Sequence, residues 1–495
     1  MKKAWLLVFI SCIQSVSTYS QNRNSVWCFG DSAGIDFRNV SIPVPISTSL
    51  DSRGSCVSIS DSLGNLLFYG NTRANGSIAQ TGIIYNRNHD IMQNGDSIAG
   101  EGWYHELLII PFPNDLNKYY LFSLDITSIH DFHYSIIDMK ADNGLGAVTS
   151  KNILIKNDSL CDAMTAVKHG NGRDWWVIIK NWSDDTDLTF YEYLITPDTI
   201  KERVIEAGSN SNTNAGTLCF SKDGNKLAFV SFRGLIEIFD FDRCTGEFSN
   251  VKIVHPQWTL NYAEYSGASF SPNGNLLYIS DGNEVSRLFQ FDLTASNVWA
   301  ARDTLATITT SRYAGGNLKL APDNKIYWTC TYYIGGAFPY PYADSVYHTE
   351  NMNLSVINDP DVQGQGCNFS LFSFNLGGKR TYWGLPNNPD YELGALWGSV
   401  CDSLTNGVHE LNNEEENFNV FPNPAKNILY IAQSNNELIK SINIFNTIGQ
   451  KQKVEYLLYK NRDYEAVNTS SLQHGIYFLE IQTDKQKIVK RFIKE

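Results

Sequence analysis

The sequence predicts an all-β protein: a β-propeller of about seven blades followed by a small C-terminal β-sandwich. Three observations point there. Gly (36), Tyr (26) and Phe (26) are plentiful while only 18% of residues are charged, a balance that favours strands and turns over helices. A polar turn followed by a β-rich apolar run recurs at a step near 50 residues. The charge balance reverses close to the C-terminus.

Length and charge set the frame. At 495 residues the chain has room for several domains, and 42% hydrophobic content excludes wholesale disorder. A net charge of −13 argues against nucleic acid as a partner, which needs clustered Lys and Arg. Residues 1–21 read as a signal peptide: Lys2 and Lys3, the apolar run Ala4–Ile13, and small residues at Thr18 and Ser20 before Gln21. Cleavage is expected between Ser20 and Gln21. Lipoprotein processing at Cys12 is the alternative, with Phe9-Ile10-Ser11 a poor match to the preceding box. No segment is apolar for long enough to predict a transmembrane helix.

The propeller is predicted over residues 22–402. Its phrase appears at Asp61–Tyr69, Asn117–Phe122, Gly172–Ile179, Ser221–Val230, Ser271–Ile279 and Ala321–Trp328. With Phe68, Tyr120, Trp176, Ala228, Tyr278 and Tyr327 taken as equivalent, the steps are 52, 56, 52, 50 and 49 residues. A second landmark, an apolar residue then Asp or Asn, keeps pace at Tyr85-Asn86, Ile137-Asp138, Phe241-Asp242, Phe291-Asp292 and Ile357-Asn358. Such a period with several strands per unit is that of propeller blades. Asp223-Gly224 and Asn273-Gly274 supply the positive φ of tight hairpins. Six units are visible; a seventh is expected to be shared, with Val26–Phe29 pairing with Phe369–Phe374 or Leu396–Val400, and six or eight blades stay open.

Eight cysteines follow the signal peptide, an even number in an exported chain. Some disulfides are expected, and buried free thiols equally so, with 105 pairings possible. No C-x-x-C pair suggests zinc or redox chemistry.

Trp27–Phe37, Phe239–Glu247, Leu354–Asp361 with Gly366–Phe369, and Gly384-Leu-Pro386 resemble a propeller family of Bacteroidota surface proteins. The resemblance covers residues 25–390 and implies architecture without an established activity.

Residues 403–416 form an acidic linker with Glu410, Glu414, Glu415 and Glu416. Beyond it, residues 417–495 hold 11 Lys and Arg against 7 Asp and Glu, whereas the propeller and linker carry −19. Two charge regimes predict two domains. Strands are predicted at Ile428–Ile431, Ile439–Phe445, Val454–Leu458, Ile476–Ile481 and Lys487–Ile493. The motifs Val420-Phe-Pro422-Asn423-Pro424-Ala425, Ile444–Gln450 with Gly449, Leu472 with Gly475-Ile-Tyr477, and Lys487–Lys494 with Lys490 closely resemble the type A C-terminal sorting domain of the type IX secretion system. That resemblance implies the type IX machinery as partner, passage through the periplasm and outer membrane, removal of the domain, and release or surface attachment.

Chemical motifs are sparse. Phe29-Gly-Asp-Ser32 resembles the nucleophile block of GDS-type esterases, but the Asp-x-x-His block that supplies their base does not occur. His105-Glu106 reads as a polar pair at a strand edge. Asp184, Asp185 and Asp187 form an acidic loop, the one candidate for a cofactor (Ca²⁺), without EF-hand spacing; Asp240-Phe-Asp242 reads as a hairpin turn. The aromatics Tyr332, Tyr333, Phe338, Tyr340 and Tyr342 suit either glycan or protein contact or a loop folded over a blade edge. No catalytic residue is assigned. The expectation is a binding or adhesion platform for an extracellular protein or glycan, with a secreted hydrolase or lyase acting at the propeller mouth as alternative.

Asp, then Ser or Thr, then an aliphatic residue or Ala occurs eight times, where chance gives roughly two. The triplet resembles the O-glycosylation acceptor of exported Bacteroidota proteins, marking Ser62, Ser97, Ser159, Thr199, Thr304, Ser345 and Ser403; Ser32 shares the pattern. Turn chemistry accounts for Asp-Ser but not for the aliphatic third residue.

Overall fold

Each recurrence of the turn phrase becomes the second strand of a sheet. Phe68 lies on Leu66–Asn71, Tyr120 on Lys118–Asp125, Trp176 on Trp175–Asn181, Ala228 on Lys226–Ser231, Tyr278 on Leu276–Asp281 and Tyr327 on Ile326–Tyr332, and all six side chains are buried. The second landmark closes the third strands, such as Ile236–Phe241 and Asn353–Ile357. The turns share one device: Asp61, Asp115, Asn171, Asp223, Asn273 and Asp323 each accept a backbone N–H two residues on. Gly224 and Gly274 occupy positive φ, as the hairpins require.

The computed structural model describes residues 22–73, 80–127, 130–182, 188–211, 213–256, 264–282, 285–309, 313–332, 340–396, 398–402, 418–433, 439–446, 450–457, 464–483 and 487–495. The chain divides into two compact units, residues 1–406 and 407–495. The first is a β-propeller with seven antiparallel sheets among the described residues; blades 1 and 2 have three strands and blades 3 to 7 have four. Every blade is a meander, and the first strands of successive blades touch one another, so these are the inner strands. They run Val26–Phe29, Cys56–Ser60, Leu107–Pro111, Leu160–Lys168, Gly216–Phe220, Tyr265–Phe270 and Tyr313–Leu320. Blades stack on both faces, so inner strands such as Leu160–Lys168 are buried throughout, whereas the outer strand Phe248–His255 is mostly exposed.

Ring closure differs from the expectation of a shared blade. Val26–Phe29 pairs with Asp31–Asp36 inside blade 1, which also contains Val44–Asp51. Phe369–Asn375 is the outer strand of blade 7, and no strand forms over 396–400 among the described residues. Blade 1 lacks the turn phrase because it is the unit that the repeat did not reveal. Blades 1 and 7 meet by packing: the Trp27 ring lies edge-on to Phe37 at 4.9 Å and to Tyr327 at 5.9 Å. Arg380 adds a backbone bridge and an ion pair to Asp31, with Nε–Oδ2 2.7 Å.

Of the cysteines, Cys244 and Cys401 form a disulfide while Cys28, Cys56, Cys161, Cys219, Cys330 and Cys367 are free thiols, five of them buried.

The second unit is a β-sandwich of two four-stranded sheets. One orders Phe418–Phe421, Ile428–Gln433, Tyr464–Asn468 and Glu455–Leu457; the other orders Lys451–Gln452, Ile439–Asn446, Gly475–Thr483 and Lys487–Lys494. Leu429, Ile431, Ile442, Ile444, Val467, Leu479, Ile481 and Phe492 form its core. All five predicted strands are present. Phe418–Phe421, Lys451–Gln452 and Tyr464–Asn468 were not predicted: the first abuts the prolines, the second has two residues, and the third mixes charge with apolar residues.

Candidate functional site

After the last blade the chain runs through the ring. Trp383 N donates to the Arg53 carbonyl, and Asn317 N donates to the Trp383 carbonyl, near where inner strands begin. Gly384 presses so close to Gly54 that an added Cβ would fall 1.7 Å from the Gly54 oxygen. Further along, Asn387 joins three blades: its N–H donates to the Cys56 carbonyl, and Nδ2 donates at 3.0 Å to the carbonyls of Leu107 and Met164. Asn388 meets Ser58 and Asn24. Tyr391 bonds the Ile109 carbonyl, and Arg243 bonds that of Gly394, near where inner strands end. The Cys244–Cys401 disulfide then fixes this strap to a hairpin of blade 5.

Beside the strap lies a cavity of about 390 Å³, walled by the inner strands of blades 4 to 7, by Asn24 and by the strap residues from Pro386 to Leu393. That volume is typical of small-ligand sites. Thr217 and Ser269 bring hydroxyls, Asn24 and Asn388 amides, and Lys319 an ammonium. Lys319 Nζ donates to the Asn388 carbonyl at 2.7 Å. Burial pushes this ammonium down to about 8, opposed by Asp390. His105 is fully enclosed at the cavity floor, its Nε2 facing Asn317 Nδ2 at 3.2 Å. Burial, assisted by Lys319, pushes its imidazole down to about 4, so it is neutral at pH 7. Asp390 on the strap is raised, chiefly by burial.

His105 and Glu106 are therefore not a strand-edge pair. Glu106 is buried before Leu107–Pro111, where its carboxylate accepts from Glu101 N at 3.0 Å, Gly102 N at 2.9 Å and Thr72 Oγ1 at 2.5 Å. Asp162 accepts from Tyr104 N and His105 N, both at 2.7 Å. These carboxylates hold the 101–106 loop. The local pattern hid them, because Thr72 and Asp162, which complete the set, belong to the neighbouring blades 2 and 4.

The other marked residues fall as follows. Asp31 of the GDS-like block is taken up by Arg380. Tyr332 and Tyr342 are buried and Tyr340 half-buried: the Tyr342 hydroxyl accepts from Tyr332 N, and the Tyr342 ring stacks on Tyr382 at 4.0 Å. Tyr333, Phe338, Asp184, Asp185, Asp187, Ser20, Gln21, Ser403 and Gly449 lie outside the described residues. Asp242 accepts from Cys244 N at 2.7 Å, a hairpin turn as read. No group of three His, Cys, Asp or Glu suited to a metal occurs among the described residues. Ser62, Ser97, Thr199, Thr304 and Ser345 are exposed and Ser159 is half-buried.

In the second unit the Pro422–Asn423–Pro424 turn is stapled to the last strand. Ile493 N donates to Asn423 Oδ1 at 2.9 Å, Asn423 Nδ2 donates to the Arg491 carbonyl, and Ala425 N donates to the Ile493 carbonyl. Gly475 opens its strand, the Tyr477 ring stacks on Phe492 at 5.7 Å, and Lys490 pairs across the ladder with Leu479. Residues 419–495 match the family of secretion system C-terminal sorting domains. The tail is a type IX sorting domain. It makes the chain a type IX secretion substrate, delivered to the cell surface or the extracellular space.

No curated protein matches the sequence. Solved structures with a similar fold include a Bacteroides uniformis protein proposed to be a 6-phosphogluconolactonase (14% identity, TM-score 0.41, covering 62% of this type IX substrate and 88% of that chain). A Lactobacillus plantarum protein aligns at 12% identity and TM-score 0.45, over 73% of this chain and 98% of the other. The β-propeller domain of Myceliophteria thermophila Cps50 (Swd1) aligns at 13% and 0.34, over 63% and 83%. None of these figures bears on activity.

Proposed function

We propose that this type IX substrate is an extracellular binding protein whose propeller takes a glycan residue into the channel cavity. The observation behind the reading is the cavity itself: about 390 Å³, with hydroxyl and amide groups among its charged and apolar lining, beside a strap fixed by bonds to several blades and a disulfide. Hydroxyls and amides at fixed positions match the alternating donors and acceptors of a sugar, and a preformed site avoids the entropy cost of ordering on binding. The test is a glycan array probed with the chain lacking residues 1–21, alongside Lys222→Trp at the exposed rim. Retained binding on the array and its loss in Lys222→Trp, with an unchanged denaturation midpoint, supports the reading; a blank array overturns it.

A secreted enzyme acting at this mouth is the second reading, favoured by the depressed pKa of Lys319 beside Asp390. Fragments released from an array-positive glycan on incubation would decide for it.

A further inference from the structure

We propose that the channel cavity selects sugars that carry an anionic group, with the Lys319 ammonium as the anchor; this rests on the binding role set out above. Lys319 sits on the inner strand Tyr313–Leu320 and lines the cavity. Of its three N–H groups, one goes to the Asn388 carbonyl. It forms no ion pair among the described residues. A half-buried cation whose opposing carboxylate is shared with other cations is costly, and a ligand anion seated against it lowers that cost.

The groups facing Lys319 do not supply the missing charge. Cys56 and Cys219, on the inner strands of blades 2 and 5, are thiols pushed up by burial and hence uncharged. His105 is neutral. Asp390 is the one acid that acts on Lys319, and it is shared: Lys222 and Lys168 face it as well, while Glu392 and the Asp36-paired Arg38 also line the cavity. The rim adds a further cation, Lys222, bonded to Asn324. Around the ammonium, Ser269, Thr217 and Asn24 offer neutral groups for sugar hydroxyls. A carboxylate or a phosphate on a sugar of modest size satisfies this set; a neutral sugar leaves the ammonium as it is.

The experiment is calorimetric titration of the chain lacking residues 1–21 with D-glucuronate, D-glucose 6-phosphate and D-glucose. Wild type is compared with Lys319→Met and Lys319→Arg, each checked for an unchanged unfolding midpoint. At least one anionic sugar should bind about ten-fold tighter than glucose, as expected of a charge-assisted bond in a partly desolvated site. Which of the two wins tells carboxylate from phosphate. Lys319→Met should bring the anionic sugars to the level of glucose, and Lys319→Arg should keep the preference. In wild type the preference should fade as pH rises past about 8, where the ammonium loses its proton. Equal affinity for glucuronate, glucose 6-phosphate and glucose, unchanged in Lys319→Met, overturns anionic selection and leaves glycan binding standing. Absence of binding to all three sugars together with a blank array overturns the binding role and this inference with it.

Discussion

Asn387 is the residue on which the strap turns, and its replacement measures what the strap contributes. Its Nδ2 donates to two inner-strand carbonyls, Leu107 and Met164, each at 3.0 Å, while its own N–H reaches Cys56. Asn387→Ala removes both side-chain bonds and leaves two inner-strand carbonyls without that donor beside the cavity that Asn387 lines. A net hydrogen bond is worth about 1 kcal/mol and an orphaned buried acceptor costs more, so the sum is about 3 kcal/mol. Spread over the unfolding entropy of about 380 residues at ~2.1 cal/mol/K each, that is a drop of about 4 °C in the propeller midpoint. Asn387→Asp should be worse, about 5 kcal/mol, since it sets an anionic oxygen against two carbonyl oxygens in a half-buried site. Calorimetry or urea unfolding of the three proteins checks the order. An Asp variant as stable as the Ala variant would refute the donor role assigned to Nδ2.

Four further outcomes are expected. Denatured, unreduced protein lacking residues 1–21 should titrate six thiols, and Cys244→Ser should titrate seven; its midpoint should also fall, the 157-residue separation setting an upper bound of about 5 kcal/mol. His105 refuses a proton until about pH 4 that the unfolded chain accepts near 6.5, so it withdraws up to ~3 kcal/mol of stability as pH falls through that window; a slope identical in His105→Gln argues against this. Deleting residues 417–495 should leave a folded propeller that fails to reach the surface, and normal protease accessibility on whole cells would contradict the separation of address and cargo. Protein from the native host should exceed its polypeptide mass in steps that map to exposed acceptors such as Ser62, Ser97, Thr199, Thr304 and Ser345; an intact mass matching the bare chain removes the glycosylation reading.

What the sequence made legible follows the range of the interactions concerned. A turn such as Asp223-Gly224 closes within five residues, and the apolar run after it is buried on both faces wherever blades stack, so six blades announce themselves by local pattern alone. Blade 1 stayed hidden because Asp31–Asp36 enters from Gly30 without the polar turn of the others. Its contact with blade 7 joins Trp27 to Tyr327, across most of the propeller sequence. The sorting tail was readable for the same reason as the turns: its motifs are short and contiguous, even though Asn423 is used to hold Ile493 some seventy residues away.

The channel site obeys the opposite rule. The strap makes few bonds to its own neighbours and many to blades 2, 3, 4 and 7, so neither alternation nor period marks it. Three residues nonetheless carry a trace. Gly384 is required where two backbones nearly touch, Asn387-Asn388 places amides where a bare chain crosses strand carbonyls, and Cys401 stands beyond the last blade where a cysteine serves no core. Each is understood only with its partner in view: Gly54, Met164 and Cys244 respectively. A cavity whose walls come from Asn24, Thr217, Ser269, Lys319 and Asn388 has no contiguous signature, because circular closure of the ring is what brings those positions together. Loss of Asn387 should therefore disturb ligand affinity as well as stability, whereas loss of a blade turn away from the cavity, such as Asp115 of blade 3, should cost stability with little effect on the cavity.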